Sequence, residues 1–112
     1  MAIFVQTEDP EGLLSAVKKA IDDDRVRTLS YDSDGDFTHT AEQWKNNAWL
    51  RPRKEEDRLI LNIVPPRGKT ISKSIYGIYH GRFIEMLLTH FDQRFTRIST
   101  SALASTRDQI KG

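Results

Sequence analysis

The chain of 112 residues contains no cysteine. A disulfide framework, a thiolate metal site and a cysteine nucleophile are therefore excluded, and packing alone must hold the core. This composition is typical of proteins from a reducing compartment, so we expect a cytoplasmic location. No apolar run approaches the roughly 20 residues that span a bilayer. The apolar stretch 2–5 is also too short for a secretory signal, and we expect no membrane anchor.

The chain also lacks an excess of charge of one sign. Its 17 lysines and arginines face 16 aspartates and glutamates, for a formal net charge of +1. Net charge therefore gives no argument for nucleic-acid binding. A chain of this length is expected to form one domain. We place that domain at residues 1–101 and expect 102–112, which are mostly small and polar, to form a disordered tail.

The first part of the chain predicts a strand followed by an amphipathic helix. Residues 2–6 have the composition of a short strand. Asp9 is a typical N-cap residue, and Pro10 suits the first position of a helix. Apolar residues then recur at three- and four-residue spacing, which predicts a buried stripe. This stripe comprises Leu13, Leu14, Val17, Ala20 and Ile21.

Two hairpins are predicted next. Residues 25–32 and 37–40 form the first, with a loop at 33–35 that pairs Tyr31 with Phe37 and Leu29 with His39. A helical turn at 41–46 precedes the second hairpin, whose strands contain 49–50 and 58–64 around a turn at 54–57. The apolar stretch 58–64 predicts a central strand, and Pro52 predicts an edge position.

A long second helix is predicted at about 72–93, with Ser72 or Ser74 as its N-cap. A short strand at 96–101 follows it. The resulting order, β-α-β-β-β-β-α-β, predicts an α+β fold. Its sheet would be antiparallel-rich, with about five to six strands and both helices packed on one face.

The strongest candidate site lies on the second helix, where glycine at positions 77 and 81 lowers helix stability by about 1 kcal/mol each relative to alanine. The two glycines share one face, the glycine face, so another surface could approach closely there. We consider packing within the chain, a symmetric dimer contact, and a ligand pocket with nearby polar side chains. The candidate binding residues are Tyr76, Gly77, Tyr79, His80, Gly81 and Arg82.

A second candidate is a basic surface for a polyanion or nucleic acid. Two tryptophans, Trp44 and Trp49, could supply stacking surfaces beside it. The acidic residues 55–57 partly neutralise the cluster, and no nucleic-acid-binding motif is present. Its residues are Arg51, Arg53, Lys54, Arg67, Lys69 and Lys73.

The sequence predicts no metal, cofactor or catalytic residue. His80 and His90 would be separated by about 80° and about 15 Å on one helix, too far to share a metal. Asp32, Asp34 and Asp36 resemble the start of a calcium loop, but Phe37 stands where that loop needs glycine, and a hairpin turn explains them.

We therefore expect a non-enzymatic binding or assembly module, with self-association or a protein partner, and a homodimer that uses the glycine face. The first alternative is nucleic-acid or polyanion binding through residues 51–54 and 67–73. The second is a small-molecule enzyme or sensor centred on His80, because histidine titrates near neutral pH.

Overall fold

The computed structural model describes residues 2–102. Its elements follow the predicted order. They are β1 (Ala2–Gln6), α1 (Pro10–Asp22), β2 (Leu29–Tyr31), β3 (Phe37–His39), β4 (Trp49–Lys54), β5 (Arg58–Val64), α2 (Lys73–His90) and β6 (Arg97–Thr100). Of the predicted tail at 102–112, residues 103–112 lie outside the described residues.

The strands form one six-stranded antiparallel sheet in the order β2-β3-β4-β5-β1-β6. The α+β class is therefore confirmed. β5 lies between β4 and β1, as its apolar sequence predicts, and its residues 59–63 are all buried. β1 inserts between β5 and β6, a placement that local sequence patterns do not encode.

Both helices pack on one face of the sheet, around a single hydrophobic core. From the sheet the core receives Ile3, Val5, Leu29, Phe37, Leu50, Leu59, Leu61 and Ile63. Helix α1 adds Leu13, Val17 and Ala20, and α2 adds Tyr76, Tyr79, Phe83, Met86 and Leu87. Neither helix is both long enough and apolar enough to cross a membrane.

The predicted helix starts are confirmed. The Asp9 side chain accepts a hydrogen bond from the Gly12 amide, and Pro10 is the first residue of α1. Ser72 caps α2 through the Ile75 amide. Helix α2 ends at His90 rather than at 93, because Phe91 leaves the helical conformation with φ −134°.

The first hairpin has the predicted register, with Tyr31 opposite Phe37 and Leu29 opposite His39. Its first strand is shorter than predicted, because the amides of Arg25 and Val26 bond the Ala20 carbonyl and extend the end of α1 instead. Pro52 lies in β4 between two strands, but the register pair of β3 with β4 is at Leu50, two residues away. Pro52 therefore lies at a position of β4 that has no register pair with β3.

The hairpin loop depends on Gly35, whose φ of +83° lies in the left-handed region. We expect Gly35→Ala to lower the free energy of unfolding by about 1 to 2 kcal/mol, the usual penalty for a side chain in that conformation. Urea unfolding would measure the change. Ser33→Ala in the same loop is the control and should stay within about 0.5 kcal/mol of the wild type; an equal loss in both variants would contradict the explanation.

Candidate functional site

Helix α2 separates the predicted binding residues onto two sides. Tyr76, Tyr79 and His80 are buried against the core side, whereas Gly77 and Gly81 lie with Arg82 on the solvent side. The structure therefore does not bring all six residues into one pocket. The buried group and the exposed group have separate structural roles.

The glycine face is open. A Cβ atom built on Gly77 or Gly81 would meet no atom within 4 Å beyond the helix's own backbone. The prediction that these glycines allow close packing within the chain, against the sheet or α1, is therefore wrong. The same face carries Ser74, half-buried Ile84 and Leu88, which at 55% is the one exposed large apolar side chain among residues 2–102.

Tyr79 is completely buried and connects three segments. Its hydroxyl donates a hydrogen bond to the Trp44 carbonyl and lies 2.9 Å from the Thr38 hydroxyl, which itself donates to the Ala48 carbonyl. The Tyr79 carbonyl accepts a hydrogen bond from His39 Nε2 at 3.2 Å. Tyr79 thus fixes β3 and the turn containing Trp44 onto α2.

His80 is also inside the protein, with 4% of its surface exposed. Its Nδ1 donates to the Tyr76 carbonyl at 2.7 Å, one turn back in α2. A ligand in solvent cannot reach this ring without rearranging the helix. The geometry therefore does not favour a small-molecule site centred on His80.

A cleft of about 280 Å³ lies beside α2 and is termed the Trp44 cleft. Residues from the loop before β2, from the end of β3, from the 41–47 turn and from α2 line it, among them Arg27, Thr28, His39, Thr40, Trp44 and Arg82. Sequence reasoning connected Arg82 with a binding site but did not include His39. The sequence did contain a signal for the burial of His39. The predicted pairing of His39 with Leu29 places the imidazole on the same face of the sheet as an apolar side chain.

His39 has an unusual environment, since only 3% of its surface is exposed. Burial lowers its pKa below the ordinary value because the charged imidazolium loses solvation. Hydrogen bonds with the backbone of Tyr79 and Thr28 act in the opposite direction, and the nearby Arg82 charge lowers the pKa further. The neutral ring is therefore favoured in the folded protein.

The six predicted polyanion-binding residues differ in their ion pairs. Three of them have carboxylate partners: Arg51 with Asp36, Arg53 with Glu55, and Lys54 with Glu11. Among residues 2–102, no carboxylate pairs with Arg67, Lys69 or Lys73 within 4 Å.

A cleft of about 490 Å³ brings Arg51, Arg67 and Lys69 together, but Asp34 also lines it. The Asp36 carboxylate, with 5% exposure, holds the Arg51 guanidinium at 2.9 Å. Carboxylates thus oppose an anionic ligand at this position.

The aspartates of the first hairpin serve its turn. One Asp32 carboxylate oxygen accepts hydrogen bonds from the amides of Asp34 and Asp36, both at 3.0 Å. The three carboxylates have oxygens within 4.8 Å of one another. These contacts are those of an aspartate-stabilised turn, as the sequence predicted.

The environment of His39 predicts a pH dependence of stability. Because its folded-state pKa is lowered, the unfolded chain binds more protons below the ordinary pKa of about 6.5. The free energy of unfolding should thus fall as the pH decreases through this value, by at most about 1.4 kcal/mol per pH unit from this residue.

Urea unfolding at about pH 7.5 and about pH 5.5 spans the range in which histidine titrates. We expect His39→Gln, whose amide can still donate to the Tyr79 carbonyl, to lose less stability between these pH values than the wild type. The exposed His90 provides the control, and His90→Gln should retain the wild-type loss. A wild-type loss also in His39→Gln would show that His39 is not responsible.

Comparison of the chain with known proteins gave no match, either to protein-family models, to curated proteins or to solved structures.

Proposed function

We propose that this protein is a cytoplasmic, non-enzymatic assembly module that forms a homodimer through the glycine face of α2. The observation that carries the proposal is the open position of Gly77 and Gly81 beside the exposed Leu88. Two glycines weaken the helix by about 1 kcal/mol each. Since they gain no packing within the chain, contact with another surface would explain their presence.

The pattern of the face supports a second copy as that surface. Ser74, Gly77, Gly81, Ile84 and Leu88 follow one another at alternating steps of three and four residues, the spacing of a helix-pairing seam. Small residues occupy the first half of this seam, and large apolar residues occupy the second half. A face with this order is complementary to itself when two helices run antiparallel.

An antiparallel pair centred between residues 82 and 83 places Gly81 opposite Ile84 of the partner subunit. The same symmetry places Gly77 opposite Leu88 of the partner subunit. Each large side chain would then fill the space left by a glycine. This arrangement is isologous, since both copies use the same surface.

Charges at the ends of the helix support the same orientation. Lys73 at the start of α2 and Asp92 just beyond its end are both exposed. The proposed orientation brings the Lys73 end of one helix near the Asp92 end of the other, where the charges are opposite. Antiparallel alignment also brings each positive helix N-terminus near a negative C-terminus.

The expected interface is small. An 18-residue helix is about 27 Å long, and one such pair buries less surface than a standard stable interface of about 1,600 Å². We therefore expect a reversible dimer with a dissociation constant in the micromolar range or weaker.

The open glycines first predict an effect on the monomer. Gly77→Ala and Gly81→Ala should each raise the free energy of unfolding by about 0.5 to 1 kcal/mol, because alanine favours the helix and its methyl group meets no atom. Urea unfolding at low protein concentration measures this. Gly35→Ala, at a positive φ, should change stability in the opposite direction. A loss of stability at position 77 or 81 would mean that the helix face is not open.

The dimer itself is tested by analytical ultracentrifugation over a wide concentration range. Gly81→Leu should weaken association by about tenfold or more. The new side chain would occupy the space that Ile84 of the partner subunit fills in the proposed dimer, and overpacking of this kind costs about 1 to 3 kcal/mol. The variant should remain folded, because leucine favours the helix and position 81 is open.

Ser15→Leu adds the same side chain to an exposed position of α1 and serves as the matched control. It should leave association unchanged. A wild-type protein that stays monomeric at the highest concentration would reject the proposal, and so would a dimer that Gly81→Leu does not weaken.

A further inference from the structure

The Trp44 cleft has a lining suited to an anion. Two arginines, Arg27 and Arg82, contribute to its walls, and no carboxylate is among its lining residues. The side chains that line the cleft therefore carry positive charge and no negative charge, and the carboxylates that pair with the two arginines, Asp24 and Glu85, are not among the lining residues. The pocket that holds Arg51, Arg67 and Lys69 differs in this respect, because Asp34 lines it.

Both guanidinium groups can exchange their present partners for a ligand. Arg27 pairs with Asp24 at 3.1 Å, and Arg82 pairs with Glu85 at 3.4 Å. All four side chains are more than half exposed, and each pair joins residues three positions apart. Exposed pairs of this kind contribute about 0 to 1 kcal/mol. An arginine that binds a carboxylate or phosphate through two parallel hydrogen bonds gains more than this.

Trp44 supplies a flat apolar surface that is already held in place. The ring is half-buried and packs against the core. Its backbone is fixed on both sides, since its carbonyl accepts the Tyr79 hydroxyl and its amide donates to the Ala41 carbonyl at 2.9 Å. A planar ring on this surface would therefore bind without ordering a loose segment first.

His39 is also among the residues that line the cleft. The imidazole lies edge-on to Tyr79, with ring centres 4.4 Å apart, and donates to the Tyr79 carbonyl. With 3% of its surface exposed, however, the imidazole offers a ligand almost no contact area. The two arginines remain the groups that would recognise a negative charge.

We infer that the Trp44 cleft binds a small organic anion that carries a planar aromatic ring, with its carboxylate or phosphate between Arg27 and Arg82 and its ring against Trp44. A volume of about 280 Å³ is near the lower end for ligand sites and suits a single ring with its anionic group. The inference does not depend on dimer formation, because the cleft is lined by residues of one chain.

Tryptophan fluorescence of Trp49→Phe tests this inference, because Trp44 is then the remaining tryptophan. Titration with benzoate and with phenyl phosphate distinguishes a carboxylate ligand from a phosphate ligand. At least one of them should give a saturable change in the low-millimolar range or below. Inorganic phosphate, which lacks the ring, and benzyl alcohol, which lacks the charge, should each bind about tenfold more weakly or not at all.

Variants of the two arginines then locate the site. In the same background, Arg27→Gln and Arg82→Gln should each weaken binding by about tenfold. Arg97→Gln, in strand β6 away from the cleft, should not change it. Gly81→Leu should also bind the anion normally, which separates this inference from the proposed dimer.

Nuclear magnetic resonance provides a second measurement that does not depend on fluorescence. The amides of Arg27, Thr28 and Thr40 should shift together on titration. The inference is wrong if neither aromatic anion binds by either method, if the shifts lie elsewhere, or if both arginine variants bind as well as the background protein.

Discussion

The buried hydroxyl and carbonyl of Tyr79 connect the parts of this protein on which both proposals depend. The hydroxyl bonds Thr38 in β3 and the Trp44 carbonyl in the following turn, and the carbonyl accepts a hydrogen bond from His39. A buried polar group without partners would be destabilising, so these bonds must form together. The side chain and the backbone of one residue thus connect α2 to the first hairpin.

This connection determines which side of α2 faces solvent. With Tyr79, Phe83 and Leu87 in the core, the helix cannot rotate without exposing large apolar side chains. Gly77 and Gly81 are then necessarily outside. The same constraint brings Arg82 to the rim of the Trp44 cleft, where it lies across from the loop containing Arg27. The dimer face and the anion cleft are thus neighbouring consequences of one fixed helix orientation.

Local sequence patterns predicted most of the secondary structure, since local physics controls it. Asp9 and Ser72 cap helices through their own side chains, and the glycine at position 35 determines the hairpin loop. Strand order was not predictable in this way. The insertion of β1 between β5 and β6 depends on contacts between residues far apart in the chain.

The candidate site was predictable only in part for the same reason. The glycines were identified by their low helix propensity, but their environment required tertiary structure. Tyr79 and His80 were suitable as polar ligands by residue type, whereas burial gives them structural contacts. The Trp44 cleft combines residues from three separate parts of the chain, around Arg27, Trp44 and Arg82, so no sequence motif describes it.

The position of β1 between β5 and β6 also has a consequence for the synthesis of the chain. β1 is synthesised before β5 and β6. Phe4 therefore cannot pair with Ile60 on one side or with Ser99 on the other until those strands have been synthesised. Pairings this distant along the chain slow folding, because long loops must close before the contacts form. The sheet is therefore completed late, and a ribosome-bound chain that ends before residue 58 has an apolar first strand with neither neighbour to cover its backbone.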